Sequence, residues 1–238
     1  LNENVRGLEY VVCRENPDAE FQKDTDQQLK TVNTELPLNE LYINKEDNLN
    51  PKYTFESFVI GSFNELSYAA AQAVINTPGM VYNPLFIYGP TGLGKTHLLQ
   101  AIGNHIKKAH PEKKVHYMTS EKFSTDYISS LQSGKINDFK ERHRKYDLLI
   151  MDDIQFLSNK EKTQEELFHV FNTLYDNNKQ IIFSSDKHIN YIPDIEERLK
   201  SRFSAGMLVD ISPPEFESRT AIFREKAKLH NFPISEDE

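Results

Sequence analysis

A single cysteine, Cys13, excludes an internal disulfide framework. The eight histidines do not cluster with it at metal-ligand spacing, so no structural metal is expected. Equally absent is any apolar run near the roughly 18 residues that a membrane-spanning helix requires. The N-terminus lacks a charged segment followed by an apolar one, so no secretion signal is read there. These absences point to a cytoplasmic protein with no stable membrane insertion. A cationic excess is missing too. The net charge of −8 speaks at first sight against nucleic acid, because phosphate binding needs clustered Lys and Arg. The charge is unevenly spread, however: residues 1–50 hold 5 Lys and Arg against 11 Asp and Glu, and residues 51–238 hold 23 against 25. The second part is nearly neutral and leaves room for local basic patches.

What is present is an ordinary globular composition, 38% hydrophobic and 27% charged, with enough chain for one sizeable domain and an extension. The chain starts at Leu1 and stops in an acidic run, Ser235 to Glu238, and is expected to be a fragment. Residues 1–13 read as the possible end of a preceding module, with Leu8 to Cys13 as one strand. Residues 14–50 are polar, acidic and without a sustained period, which predicts a flexible linker and a domain boundary near residue 50. Beyond it, Ser62 and Glu65 have capping-box spacing ahead of an Ala-rich helix ending near Thr77. Runs of strand length follow at Leu85 to Tyr88, Val115 to Thr119, Leu148 to Met151, Gln180 to Ser184 and Met207 to Ile211. Between them lie helical patterns, the clearest from Thr163 to Asn177, where Thr163 and Glu166 form a second capping box and Leu167, Val170, Phe171 and Leu174 share a face. Strands alternating with helices predict an α/β fold, a parallel sheet flanked by helices.

Gly89-Pro90-Thr91-Gly92-Leu93-Gly94-Lys95-Thr96 fits the phosphate-loop pattern G-x-x-x-x-G-K-[ST], between a predicted strand and a predicted helix as the motif demands. Glycines let successive N–H groups face phosphate oxygens, and the helix N-terminus adds its positive dipole end. Lys95 is placed to reach the β and γ oxygens of ATP, and Thr96 to offer its hydroxyl to Mg²⁺. A second element, Leu148 to Met151 running into Asp152 and Asp153, would deliver two carboxylates beside that loop. Asp152 would hold Mg²⁺ through water and Asp153 would orient the attacking water. Two acids after an apolar strand are also common as a simple strand end.

These residues, together with NPKYTFESFVIGSFN (50–64), YNPLFIYGPTGLGKTHLLQAIG (82–103), LLIMDDIQFLSNKEKTQEELFHVFN (148–172), SSDKHI (184–189) and EERLKSRFSAGM (196–207), resemble the AAA+ ATPases and, within them, the family of bacterial chromosomal replication initiators. The resemblance covers about residues 50 to 230 and implies an AAA+ core over 51–212 with the start of a small helical lid over 213–238. It implies ATP and ADP as ligands with Mg²⁺, and a nucleotide pocket of Gly89, Thr91, Gly92, Leu93, Gly94, Lys95, Thr96 and His97, with Val59 and Ile60 enclosing the adenine. It places Asp186 at the sensor-1 position, which reads the γ-phosphate, and Arg202 at the arginine finger, which reaches the ATP of a neighbouring subunit in a head-to-tail helical filament. Arg198, one turn earlier, would support the fold or the same interface. The insertion from Ser120 to Lys145 resembles the initiator-specific helical motif. Its Ile128, with Lys160 and Lys162, matches positions that contact single-stranded DNA.

Without the family, Val59 and Ile60 read as core residues, Asp186 as a helix cap, Arg202 as a solvated helix end and the two lysines as solvated surface. Asp153 stands where most AAA+ ATPases have Glu, and the shorter side chain implies slow hydrolysis, a timer more than a motor. A later sensor-2 arginine and a DNA-recognising helix-turn-helix are expected outside these 238 residues. Specific duplex binding, and any contact with the replicative helicase, would then need those other parts. The function implied is an ATP-dependent switch that assembles on and opens origin DNA. A helicase loader or initiator regulator, a P-loop kinase, and a nucleotide-binding module with no DNA role remain as alternatives at this point.

Overall fold

The computed structural model describes residues 46–229 and Phe232. The strand expected at Leu8 to Cys13, nearly all of the linker and the end of the lid lie outside the described residues. The described chain runs through α1 (Glu65–Asn76), β1 (Leu85–Tyr88), α2 (Lys95–Ala109), β2 (Val115–Thr119), α3 (Ser120–Gln132), α4 (Ile136–Arg144), β3 (Leu148–Asp152), α5 (Glu161–Asp176), β4 (Gln180–Ser185), α6 (Glu197–Ser204), β5 (Met207–Asp210) and α7 (Phe216–Leu229). Short 3₁₀ turns at Ile154–Leu157 and Ile189–Tyr191 follow β3 and β4. The five strands form one parallel sheet in the order β2-β3-β4-β1-β5.

The period of two along each strand divides the core. Leu85 and Ile87 of β1, Leu148 and Ile150 of β3, and Ile182 of β4 face Ala70, Ala71 and Val74 of α1 and Leu98, Leu99 and Ile102 of α2. The alternate residues Phe86, Leu149, Met151, Ile181 and Phe183 face Phe123 of α3, Phe139 of α4, Leu167 and Phe171 of α5, and Leu199 and Phe203 of α6. The central strands β1, β3 and β4 are buried on both faces, and this is why they read as nearly continuous apolar runs instead of alternating ones.

Neither expected capping box forms. The N-cap of α1 is Asn64, and its side chain binds the entry loop, accepting from Gly61 N at 2.9 Å and donating to Val59 O at 2.9 Å. α5 starts at Glu161 because the Lys160 carbonyl already accepts from Thr163 N and Gln164 N, both at 2.9 Å, which places Thr163 inside the first turn. Packing against the core also reaches a few residues before 50. Leu49 is buried against Gly103 and Ile150, and Asp47 O accepts from Tyr117 N at 2.8 Å along the outer edge of β2.

Gly206, ahead of β5, is required by close approach: a Cβ there would stand 1.9 Å from the carbonyl oxygen of Pro84. That carbonyl accepts from Met207 N at 3.0 Å, so it is fixed by the register of β5 against β1. Gly206→Ala is expected to destabilise the fold by about 3 kcal/mol, the upper end of overpacking costs, because backbone must move. Urea denaturation checks it; an unchanged midpoint would show that β5 shifts freely.

Candidate nucleotide-binding site

Parallel strands deliver their C-terminal ends to one edge of the sheet, and the crevice there receives Gly89 from β1, Asp152 and Asp153 from β3, and Asp186 from just after β4. Gly89 N donates to Ser185 O at 3.2 Å and ties the start of the phosphate loop to the end of β4. Gly92 and Gly94 adopt φ of +84° and +91°, a left-handed conformation that side chains rarely accept, and Gly94 hands the chain to α2.

Lys95 opens α2, and its side chain is only 6% exposed. A buried ammonium must be matched by acceptors, and Lys95 Nζ finds three, Gly89 O at 2.7 Å, Pro90 O at 3.0 Å and Asp186 Oδ1 at 2.8 Å. Asp152 is 1% exposed and is held by hydroxyls from three elements. Thr96 Oγ1 donates to its Oδ2 at 2.7 Å, Tyr117 OH donates to the same oxygen at 2.8 Å, and Ser184 Oγ donates to Oδ1. Burial first, and then the Asp152 charge, push the Tyr117 hydroxyl up, so it stays a proton donor.

Thr96 and Asp152 are all-oxygen donors suited to a hard cation, and together with phosphate oxygens and water they fit Mg²⁺. No cluster of three or more His, Cys, Asp or Glu able to hold a metal occurs among the described residues, so most ligands of such an ion would come from nucleotide and water.

Asp153 sits in a left-handed conformation, φ +60°, which turns its carboxylate away from the strand and into the crevice. The turn is held at both ends, by Asp153 N donating to Ser184 Oγ at 3.0 Å and by Ser120 Oγ donating to Asp153 O at 2.6 Å. Burial, then the neighbouring Asp152, raise the pKa of Asp153 above the ordinary carboxylate range, which makes it a better base. Gln155 joins it to the sensor position: its Nε2 donates to Asp153 Oδ1 at 3.0 Å and to Asp186 Oδ2 at 3.1 Å, while its Oε1 accepts from Asp186 N at 3.3 Å.

Beside this polar floor lies a cleft of about 600 Å³, within the usual size of ligand pockets. Tyr53, Phe58 and Val59 line it together with Pro214, Ile222, Lys226 and the phosphate loop. His97 fastens the stretch from Tyr53 to Phe58 to α2. Its Nε2 lies 2.8 Å from Thr54 O and 3.3 Å from Ser57 Oγ, and its ring packs 5.0 Å from Tyr53 and 5.2 Å from Phe58. Burial lowers its pKa, so the ring is neutral near pH 7.

Of the residues singled out in the sequence, Thr91, Gly92, Leu93, Gly94, Lys95, Thr96, His97, Asp153, Asp186 and Val59 line the cleft. Ile60 is 47% exposed and lies outside that lining. Tyr117, Ser184 and Gln155 were not singled out. Ser184, a polar residue near the end of the strand beside β3, could have been found by the crevice rule, whereas Tyr117 and Gln155 act at a distance that spacing does not show. Arg198 and Arg202 lie on α6, away from this chain's own cleft lining, with their guanidinium carbons 4.9 and 5.8 Å from the Phe168 ring centroid. Ile128 is 48% exposed on α3. Lys160, half-buried, precedes α5, and Lys162 is exposed in its first turn. Ile128 on the one hand and Lys160 with Lys162 on the other thus stand on different elements.

The bacterial DnaA ATPase domain matches residues 49–210 of this chain. The chromosomal replication initiator protein DnaA of Citrifermentans bemidjiense is 54% identical over 190 residues, covering 80% of this chain and 42% of that relative, so the chain spans less than half the length of such relatives. Domain III of the Thermotoga maritima replication initiation protein DnaA superposes with a TM-score of 0.78 at 46% identity, over 79% of each chain. A replication initiator DnaA bound to AMPPCP and single-stranded DNA superposes with a TM-score of 0.75 at 44% identity, over 80% of this chain and 59% of the other.

Proposed function

The chain belongs to the family of bacterial DnaA ATPase domains, and from that premise we propose that it is the ATP-binding switch of a cytoplasmic replication initiator, which in its ATP form assembles on and opens origin DNA. The observation that carries this reading is the convergence of Lys95, Asp186, Thr96 and Asp152 at one crevice between the phosphate loop and the β3 and β4 ends. In this reading Lys95 Nζ leaves Asp186 and the loop carbonyls for the β and γ oxygens of ATP, and Asp186, released, reads the γ-phosphate. Thr96 and Asp152 would hold Mg²⁺, which would supply positive charge against the phosphate oxygens. Asp153 orients the attacking water and takes its proton, with Gln155 fixing the carboxylate. The side chain is one methylene shorter than Glu, so hydrolysis is slow and the bound nucleotide times the switch. Arg202 completes the site of a neighbouring subunit in a head-to-tail filament. Duplex recognition and helicase contact belong to other parts of the whole protein.

The test is single-strand binding as a function of nucleotide. Anisotropy of a labelled oligonucleotide should report tighter binding with ATP than with ADP; equal affinities would remove the switch. A second measurement locates the DNA path. If Lys160 and Lys162 each meet a phosphate, replacing both by Ala should flatten the slope of log K against log salt by about 1.4, at about 0.7 per contact. An unchanged slope would return both to ordinary solvated surface.

A further inference from the structure

We propose that Phe168 is a positioning residue for Arg202, its ring on α5 holding the guanidinium on α6 aligned for a neighbouring subunit's nucleotide; this rests on the in-trans role of Arg202 given above. Two arginines reach the same ring, and they differ in what else they touch. Arg198, with its guanidinium carbon 4.9 Å from the ring centroid, is ion-paired through Nε to Glu196, so its charge is matched within its own chain. Arg202, at 5.8 Å, has no carboxylate at ion-pair distance among the described residues. Its charge remains available.

An aromatic face suits such a cation for a specific reason. A carboxylate would occupy two of the five N–H donors of the guanidinium, whereas a ring attracts the cation through its quadrupole and leaves the donor fork open for phosphate oxygens. A long side chain also loses rotamer freedom on docking, and alignment beforehand lowers that cost. The ring itself is fixed. Phe168 is half-buried at the rim of the core cluster formed by Leu167, Phe171, Leu199 and Phe203, and α6 is anchored in that same cluster. Ring and helix therefore keep one spacing, set by apolar packing. In α5 the stripe Leu167, Val170, Phe171 and Leu174 fills the core, and Phe168 stands beside it at the edge that faces Arg202.

Phe168→Leu keeps apolar volume and removes the quadrupole, while Phe168→Tyr keeps the ring. Both should bind ATP as dilute monomers like the parent. In sedimentation with ATP, Phe168→Leu should raise the protein concentration for half-assembly roughly five-fold, the size of an exposed cation–π contact, and Phe168→Tyr should stay near the parent. The side-chain Nε–H resonance of Arg202 in the monomer should move to its unstructured position in the Leu variant only. Assembly of Phe168→Leu at the parent's concentration, equal weakening by Leu and Tyr, or an Arg202 resonance insensitive to the ring would each overturn the proposal. Loss of assembly in Arg202→Ala with normal assembly in Phe168→Leu sinks the ring's role alone. A parent that stays monomeric in ATP, or intact assembly of Arg202→Ala, sinks the in-trans reading and this inference with it.

Discussion

Lys95→Ala is expected to weaken ATP binding by about 30-fold, and the size follows from what Lys95 already does. A charge-assisted hydrogen bond to phosphate contributes on the order of 2–3 kcal/mol, and Lys95 is placed to make contacts to two phosphates. It does not come to them unpaired. It must leave an Asp186 carboxylate at 2.8 Å and two carbonyls of its own loop, so only the difference appears as affinity, roughly 2 kcal/mol or about 30-fold. The same partners set the effect on stability. Removing the ammonium leaves Asp186 and the loop carbonyls without their donor, but Asp186 is 32% exposed and water can replace it. A shift in unfolding free energy within about 1 kcal/mol is expected. Calorimetry with ATP and Mg²⁺ on folded Lys95→Ala decides: undiminished affinity would mean that the loop does not bind phosphate through this lysine. Asp152→Asn keeps shape and one acceptor oxygen while removing the only charge among the two Mg²⁺-holding residues, and should weaken chiefly the Mg²⁺-dependent part of binding.

What the sequence announced and what it concealed divide along a physical line. All five strands lie where runs of strand length stand between turn residues, and the central β1, β3 and β4 give the clearest signature because both of their faces are buried. The phosphate loop was legible because a left-handed backbone at Gly92 and Gly94 admits little but glycine. Helix starts were not. Both capping boxes were matched by spacing alone, yet at α1 the Asn64 side chain serves the preceding loop, and at α5 the Lys160 carbonyl already starts the helix by accepting from Thr163 N and Gln164 N. The carboxylates of the site were legible as a pair after β3, but the groups that hold them were not. Tyr117 reaches Asp152 from a strand 35 positions away, and Gln155 turns back from the following turn to bridge Asp153 and Asp186. Such contacts depend on register between strands and on the direction of one side chain, and no local pattern carries either. Ile60 shows the converse: an apolar residue beside Val59 in sequence need not share its cleft.

Arg202→Ala is expected to abolish ATP-dependent assembly while leaving the ATP affinity of the dilute subunit within about two-fold of the parent, since a residue outside the chain's own cleft loses little uniform binding. The asymmetry separates a filament-forming switch from a phosphotransferase with its site complete in one chain. In the latter every charge-stabilising group lies in the same pocket, and removing one weakens nucleotide binding or turnover at any dilution. No α6 residue lines the crevice, so on the proposed reading the surface that would receive a finger and the surface that would offer one are different patches. Such an interface is heterologous, and its product is an open helix unless the rotation happens to close. Mixing gives the sharpest version. Arg202→Ala retains its nucleotide site and Lys95→Ala retains its finger, so equal amounts with ATP should recover short assemblies that neither forms alone, with Lys95→Ala offering Arg202 to the intact phosphate loop of its partner. Filaments cannot propagate through such mixtures, because each junction of the other kind lacks either finger or nucleotide, and dimers should dominate in sedimentation. Should Arg202→Ala instead lose nucleotide binding in dilute monomer, the arginine acts within its own chain, and head-to-tail assembly has to be sought on another surface.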